Sequence, residues 1–338
     1  MRIVYYGSKD WPILDQKLLP YLFIDSYHSW EQSIGNRSGF IIGEFCVLPF
    51  REYKNFLFNS IQFLHPPLDF SGQAMPPEQE KYFLDRLMEY IKKEKICASI
   101  IPPFLMDVFQ AVPKNAVYAP LGNYFIDLEN QSVEMIFSNF RKNYKLEIKK
   151  AESLDFTILN GVDQFPIFYK MYANNHESQG IAFDSFSYIE KLTQKLGDEN
   201  CVCSVLYYQG IPQCGLIFAF TKHSGIYLYG GNAAKIASPG FMKLLQYKAI
   251  QFLKEKHVKK YIVGACRLGD LSGTKFEGIQ AFKKRFGCEL KEGFIWKMDF
   301  SKSVSIYRNL RVIGLKVIRK PFYSDIIDFE RKRLKIES

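Results

Sequence analysis

Near its C-terminal end the chain carries the stretch Phe282-Lys283-Lys284-Arg285-Phe286-Gly287, in which three adjacent cations stand between two aromatic residues. Helical spacing of Ile279, Phe282 and Phe286 predicts that these three side chains face a core. Lys283 and Arg285 then lie on the flanks, where an anionic or carbonyl-bearing ligand could bind. The alternative is a solvated helix end whose cations complement the helix dipole. A strand-like run follows directly, so the stretch predicts a basic helix before a closing strand.

The composition is that of a globular protein. The 338 residues are 47% hydrophobic and 24% charged, which is enough apolar material for two cores of ordinary size. The formal net charge of +10 favours an anionic partner such as a nucleotide diphosphate, coenzyme A, tRNA or an acidic membrane surface. No stretch approaches about 18 uninterrupted apolar residues, and the N-terminus lacks a secretory pattern. We therefore expect a cytoplasmic protein with at most peripheral membrane contact.

The seven cysteines are scattered and lie mostly inside apolar runs. This distribution predicts reduced core residues of a cytosolic protein. Cys201 and Cys203 share one face of a predicted strand, but no second Cys or His pair with zinc spacing follows. The sequence therefore predicts no metal site.

Hydrophobic periodicity predicts the same order of elements in both halves of the chain. In the first half we expect strands over 39–49 and 54–65 separated by the polar Arg51-Glu52, a helix over 76–93, a strand over 97–101, a short helix over 103–110 and a strand over 116–128. In the second half we expect a strand over 154–159, helices over 162–174 and 185–196, a three-stranded meander over 201–208, 211–220 and 225–230, a helix over 239–257, a strand over 260–263, the basic helix and a strand over 293–300. No sequence identity between the halves is visible.

Antiparallel meander, helix, strand, helix, strand is the order of the GNAT acyltransferase unit. Four sequence pieces in the same order resemble the FemABX family of aminoacyl- and acyltransferases, which joins two GNAT-like domains. The pieces are the strand 123–128, the basic helix 143–151, the segment Tyr229-Gly230-Gly231-Asn232 with Pro239 after it, and the motif Phe282-Lys283-x-x-Phe286-Gly287.

The resemblance implies an α/β (α+β) fold with two tandem GNAT-like domains, each a mixed, largely antiparallel sheet flanked by helices. It places the first domain at 1–150, the second at 151–300, and a basic C-terminal helical tail at 301–338 that packs back on the first domain. The apolar side of that tail is supplied by Ile313, Leu315, Val317, Ile318 and Phe322. The alternative for the tail is a basic surface that binds membrane or RNA.

For activity, the resemblance implies a bacterial transferase that moves an acyl or aminoacyl group onto an amine of a cell-envelope precursor, in a groove between the domains. The donor would be aminoacyl-tRNA or an acyl thioester such as acyl-CoA, with no bound cofactor. In the family, the lysine that corresponds to Lys283 is thought to hold the acyl carbonyl or a terminal phosphate. Such a cation suits acyl transfer, because the reaction passes through a tetrahedral oxyanion.

Other residues are predicted to contact substrate. Tyr229, Gly230 and Asn232 lie where glycines let a ligand approach the backbone. His176 or Glu177 could act as a base, although an isolated His beside a loop is more often a surface residue. Arg285 flanks the motif lysine.

Five cations within 141–150 form a basic segment, and Arg141, Lys145 and Lys149 share one helical face. Like charges at this spacing weaken a helix unless a partner neutralises them, so the stripe is expected to meet phosphates of an anionic small-molecule or nucleotide-linked partner. A solvated linker helix is the alternative, and the sequence does not decide between the two.

One departure from the family concerns the acceptor. Many peptidoglycan-branching members carry Arg-Asp-Gly-Phe where this chain has Ser178-Gln179-Gly180-Ile181, so the phosphate-binding arginine is missing. A UDP-linked muropeptide acceptor is therefore in doubt. N-acylation of an amino sugar in surface-polysaccharide assembly, or a catalytically silent GNAT-like protein that binds an anionic ligand, are the alternatives. The loop 233–240 has a single glycine, which disfavours the usual GNAT cradle for coenzyme A.

Overall fold

A computed structural model describes residues 1–54, 58–301, 303–304, 306–307 and 325–336, apart from the side chain of Lys275. The strands in these residues are β1 Arg2–Tyr5, β2 Arg37–Ile42, β3 Cys46–Lys54, β4 Asn59–Phe63, β5 Leu68–Asp69, β6 Ser99–Ile101, β7 Val117–Asp127, β8 Phe156–Asn160, β9 Cys201–Tyr208, β10 Ile211–Phe220, β11 Gly225–Asn232, β12 Lys260–Cys266 and β13 Glu289–Asp299. The helices are α1 Asp25–Ser33, α2 Pro77–Lys93, α3 Val133–Asn139, α4 Lys142–Glu152, α5 Phe165–Ser178, α6 Phe186–Asn200, α7 Phe241–Glu255, α8 Lys275–Lys284 and α9 Ile326–Leu334.

One continuous sheet crosses the whole molecule. Its strand order is β1-β2-β3-β4-β6-β13-β7-β12-β11-β10-β9-β8, with β5 paired to β3. Only β4 with β6 and β11 with β12 are parallel among the described strand pairs. The predicted fold class, a mixed and largely antiparallel α/β arrangement flanked by helices, is confirmed.

The two halves exchange strands at the centre of this sheet. β13 from the end of the chain lies between β6 and β7, and β7 from the first half lies between β13 and β12. The sheet is thus continuous across residue 150. The division into domains at that residue stays a prediction about sequence organisation.

Helices cover both faces of the sheet. Side chains of β10 alternate: Ile217 packs with a cluster that includes α1, α5 and α6, whereas Leu216 and Phe218 pack with α4 and α7. In the first half, α2 covers the sheet with a buried stripe that starts at Phe83 and ends at Ile91. The face that carries α1, α5 and α6 has one apolar cluster spanning both halves.

The C-terminal helix α9 lies against the centre of the sheet. Ile327 is buried with Ala119, Leu121 and Ile295, and Arg331 Nη1 donates to Tyr118 O at 3.1 Å. The apolar tail residues predicted to pack on residues 1–150, from Ile313 to Phe322, lie outside the described residues.

Several boundaries differ from the sequence prediction. The expected strand 39–49 is two strands joined by a turn after Ile42, and Arg51-Glu52, expected to break a strand, lies buried inside β3. Burial is possible there because Arg51 Nη1 binds Glu31 Oε1 at 3.1 Å. The helix expected over 103–110 is a loop, and Ile279 is 54% exposed instead of buried. The strand β1 and the helix α1 were not predicted.

One buried carboxylate holds that loop. Glu80 of α2 is 2% exposed and accepts hydrogen bonds from Gln110 N and Ala111 N at 2.9 and 3.1 Å. Burial raises the pKa of Glu80 from 4.5 to about 7. The folded state therefore favours the protonated form of Glu80. The resulting contribution to the free energy of unfolding is complete below the unfolded pKa of 4.5 and is lost as the pH rises through about 7.

We expect Glu80→Gln, which keeps a carbonyl acceptor, to be more stable than the parent protein by about 1–3 kcal/mol near pH 8 and about equal to it near pH 5. Chemical unfolding at both pH values measures the difference. Glu78→Gln is the matched control, because Glu78 is exposed in the same helical turn. The same stability difference at both pH values would contradict this expectation.

Candidate active site

The parallel strands β11 and β12 separate shortly after they begin. They pair only where Gly225 and Ile226 face Tyr261 and Ile262. Beyond that point β11 stays paired with β10, while β12 stays paired with β7 after a bulge at Gly264, whose φ is +119°. A gap therefore opens between the ends of β11 and β12, and backbone groups along it have no strand partner.

Lys283 of α8 lies at the β12 side of this gap. Its Nζ donates to Ala265 O at 2.9 Å, and a Cβ on Gly264 would be only 3.0 Å from Nζ. The sequence prediction placed Lys283 on a flank of the helix, and in the structure its amine points to β12. One of the three N–H donors binds Ala265, which leaves two for a ligand.

The charge of Lys283 has no anionic partner within the described part of the chain. No carboxylate lies within 4.0 Å of Nζ among the residues that the structure describes. Burial lowers the pKa of Lys283, although the neighbouring thiols of Cys266 and Cys288 oppose the shift. Burial also raises the pKa of Cys288 to about 12, so that thiol is neutral near pH 7. An oxyanion or phosphate at the gap would therefore meet an uncompensated cation.

Tyr229, Asn232 and His176 come together at the β11 side of the gap. Tyr229 Oη donates to Asp184 Oδ2 at 2.9 Å, and Asn232 N donates to Asn175 Oδ1 at 2.7 Å. Asn175 belongs to α5, and on the same helix the imidazole of His176 lies 4.3 Å from the Tyr172 ring, measured between ring centroids. This group joins the end of β11 to the end of α5.

Two neighbours of this group differ in role from the prediction. Glu177 is exposed on the last turn of α5. A Cβ on Gly230 would collide with the hydroxyl of Tyr227, and one on Gly231 would lie 2.6 Å from Tyr172 N. Internal packing therefore explains both glycines, without a ligand that approaches the backbone.

The predicted basic residues lie on the opposite face of the sheet. Arg141 N donates to Arg285 O at 2.9 Å, which joins the start of α4 to the end of α8. Lys145 Nζ donates to Ser138 O at 2.9 Å, and Lys149 is exposed one turn further along α4. Arg285 Nε is buried without a hydrogen-bond partner among the described residues. Arg141, Lys145 and Arg285 thus form one basic junction beside α8.

Sequence reasoning missed the residues of the first half that belong to the same apolar cluster as Tyr229. The guanidinium of Arg51 lies 5.6 Å from the centre of the Phe104 ring, and Trp30 Nε1 donates to Tyr188 O at 3.4 Å across the two halves. Burial raises the pKa of Tyr188 to about 12, and Arg51 opposes the shift. An arginine inside an apolar strand was the available signal, but it was interpreted as a strand break.

Comparison with known proteins agrees with this architecture. Residues 138–283 match the family model described as an acetyltransferase (GNAT) domain, a match that ends at Lys283. The crystal structure of FemX superposes with a TM-score of 0.61 at 14% sequence identity, covering 85% of this chain and 94% of that one. L-PGS from Bacillus licheniformis has a TM-score of 0.49 at 12% identity, with 82% and 89% covered. No curated protein sequence matches the chain.

The recognised resemblance to FemABX proteins is therefore confirmed at the level of fold, and residues 138–283 are similar to a GNAT domain. Within the described residues, no helix combines the length and apolar character that crossing a membrane requires.

Proposed function

We propose that this protein transfers an activated acyl or aminoacyl group onto an amine of a cell-envelope precursor. The observation that carries the proposal is the gap between β11 and β12, with the ammonium of Lys283 beside it bound to Ala265 O and to no carboxylate of a described residue. The donor carbonyl would lie in the gap, where an N–H of Lys283 stabilises the oxyanion. Such donors are made inside bacterial cells, so we infer a cytoplasmic bacterial enzyme.

The acceptor amine must lose a proton as its nitrogen bonds to the carbonyl carbon. His176 Nδ1 lies 2.9 Å from Tyr172 O, and because a carbonyl only accepts, Nδ1 carries the hydrogen in the neutral ring. The lone pair on Nε2 is then available to take that proton. The tetrahedral intermediate collapses as the donor's ester oxygen or thiolate leaves with the bonding electrons.

The basic junction supports a donor that carries phosphates. This junction, formed by Arg141, Lys145 and Arg285, lies where the start of α4 meets the end of α8. Lys283 is in the last turn of α8, and Lys149 extends the basic surface along α4. Either aminoacyl-tRNA or acyl-CoA supplies phosphates there, and each would be a substrate and not a resident cofactor. The loop 233–240 has a single glycine, which disfavours the usual GNAT cradle for coenzyme A. Of the two donors, aminoacyl-tRNA is therefore favoured.

An amino-sugar acceptor is the second candidate. Ser178 at the end of α5 binds Asn175 O through its hydroxyl at 3.0 Å and offers no positive charge for a nucleotide phosphate. Recognition would then depend on polar groups such as the Asp184 carboxylate and the Tyr229 hydroxyl, which suit the hydroxyls of a sugar.

Mass spectrometry of ligands that copurify with the protein, followed by turnover assays, tests the function. Each donor, labelled aminoacyl-tRNA or acetyl-CoA, is offered with a muropeptide or an amino-sugar nucleotide. Label transfer to either amine supports the proposal and identifies the acceptor. Binding of a donor without transfer to any amine would support the catalytically silent alternative.

We expect Tyr229→Phe to raise the KM for the acceptor by about 10-fold, because losing the hydroxyl changes the hydrogen bonding of Asp184. Steady-state kinetics against acceptor concentration measures this change. Tyr169→Phe is the control, since the Tyr169 hydroxyl also bonds Asp184 but at the backbone oxygen, 3.2 Å away. Equal effects of the two substitutions would exclude a specific role for Tyr229.

A further inference from the structure

A polar cavity lies at the start of β12, where loops of the first half cover the sheet. Its volume is about 310 Å³, and its lining includes His65, Asp107, Lys260 and Lys291. Lys260 begins β12, and Lys283 contacts the same strand at Ala265, five residues further on. At about 3.3 Å per residue the two positions are roughly 17 Å apart, so the cavity is distinct from the gap between β11 and β12.

The lysines that line the cavity differ in their partners. Lys291 Nζ binds both oxygens of Asp107, at 2.9 and 3.1 Å. Lys260 Nζ has no carboxylate within 4.0 Å and no hydrogen bond among the residues that the structure describes. Burial lowers the pKa of Lys260, and the nearby Asp107 carboxylate opposes that shift.

The remaining charged groups of the lining already have partners. Glu80 accepts two backbone hydrogen bonds, and Asp127 accepts from the turn that follows it. Lys259 Nζ lies 3.5 Å from Glu129 Oε1, and both side chains are partly exposed. Lys260 is therefore the lysine of this lining that makes no direct ion pair or hydrogen bond with a described residue.

His65 presents an unused acceptor to the same cavity. Its Nδ1 lies 2.8 Å from Pro66 O and must carry the hydrogen, so Nε2 carries a lone pair. Burial lowers the pKa of His65 to about 4, which keeps the ring neutral. The side chain is 1% exposed, and within the described part of the chain Nε2 has no hydrogen-bond partner, although Asp107 Oδ2 lies 3.5 Å away. His65 Nε2 is thus a buried acceptor without a donor, beside a carboxylate oxygen that accepts from Lys291 Nζ at 3.1 Å.

We propose that this cavity binds a small polyhydroxylated monocarboxylate, a compound of the sugar-acid class. The carboxylate would pair with Lys260, and a hydroxyl would donate to His65 Nε2 or Asp107 Oδ2. Uncharged polar side chains at the mouth, Ser71, Gln73, Gln110 and Asn130, suit further hydroxyls. The volume is at the lower end of the range for small-molecule sites. This inference does not depend on the transferase proposal.

Isothermal titration calorimetry on the full chain with D-gluconate tests it. Hexanoate, a six-carbon acid without hydroxyls, sorbitol, which has the hydroxyls without the charge, and inorganic phosphate are the comparison probes. We expect saturable binding of D-gluconate that exceeds that of all three. Weakening of about 10- to 100-fold is expected in Lys260→Met and about 2- to 10-fold in His65→Asn, in which the amide can still donate to Pro66 O.

Lys256→Met is the matched control, because it removes the same charge from an exposed position just before β12 and should leave D-gluconate binding unchanged. Thermal unfolding of each variant shows whether it is folded before titration. No binding of D-gluconate to the parent protein would overturn the proposal. Equal affinity for hexanoate or phosphate, or undiminished binding in both folded cavity variants, would also overturn it.

Discussion

Replacing Lys283 with Met should lower kcat/KM for acyl transfer by about 10²–10³-fold, the loss typical of one electrostatic stabiliser of an oxyanion. The expectation follows from the position of Nζ beside the gap, with two donors free and no carboxylate partner in the described part of the chain. Because burial lowers the pKa of Lys283, activity should also fall with rising pH before an ordinary lysine titrates near 10.5. Initial rates over a pH series measure both effects.

Stability provides the control for this substitution. A lysine whose folded pKa is lowered binds fewer protons in the folded state, so its charge costs stability at neutral pH and the cost shrinks as the pH rises. Lys283→Met should therefore be no less stable than the parent protein near pH 7. Lys284→Met, at the exposed end of α8, should change the rate little. A Lys283→Met enzyme with full activity would remove the lysine from the proposed mechanism.

Local sequence signals predicted the elements that depend on local physics. The helix α2 begins after a Pro-Pro pair and keeps one apolar stripe, and the meander β9 to β11 alternates around short turns. The motif helix α8 was predicted because its cations and aromatics stand at helical spacing. Each of these signals is contained within one continuous segment of the chain, so contacts between distant segments were not needed to interpret it.

The sequence could not show contacts between distant segments. Strand β13 pairs with both β6 and β7, and no local pattern identifies such partners. Arg51 looked like a strand break because its partner Glu31 lies on a different element. Lys283 binds Ala265 O beyond the point where β11 and β12 stop pairing, and just after a bulge in the pairing of β12 with β7. Motif matching therefore found candidate residues, while their geometry came only from the fold.

Glu330→Gln should destabilise the protein by about 3–5 kcal/mol, because it removes a fully buried carboxylate and leaves two half-buried arginines without their counter-charge. The Glu330 carboxylate is fully buried in α9 and pairs with both Arg267 and Arg333. Arg267 also stacks on the Phe276 ring, with its guanidinium carbon 3.9 Å from the ring centre. Chemical unfolding measures the loss, and Glu94→Gln is the control, since Glu94 forms an exposed 4.0 Å pair with Lys93 that should contribute little.

The position of the ion pairs of Glu330 connects stability to the candidate active site. Arg333 donates to the backbone oxygens of Leu268 and Asp270, in the loop that joins β12 to α8. A Cβ on Gly269 would lie 2.9 Å from the Leu334 side chain, so the helix packs closely on that loop. We therefore expect hydrogen exchange in the loop 267–274 to accelerate in Glu330→Gln before global unfolding, together with a lower kcat. Unchanged exchange in this loop, with stability lost elsewhere, would show that α9 does not hold the helix that carries Lys283.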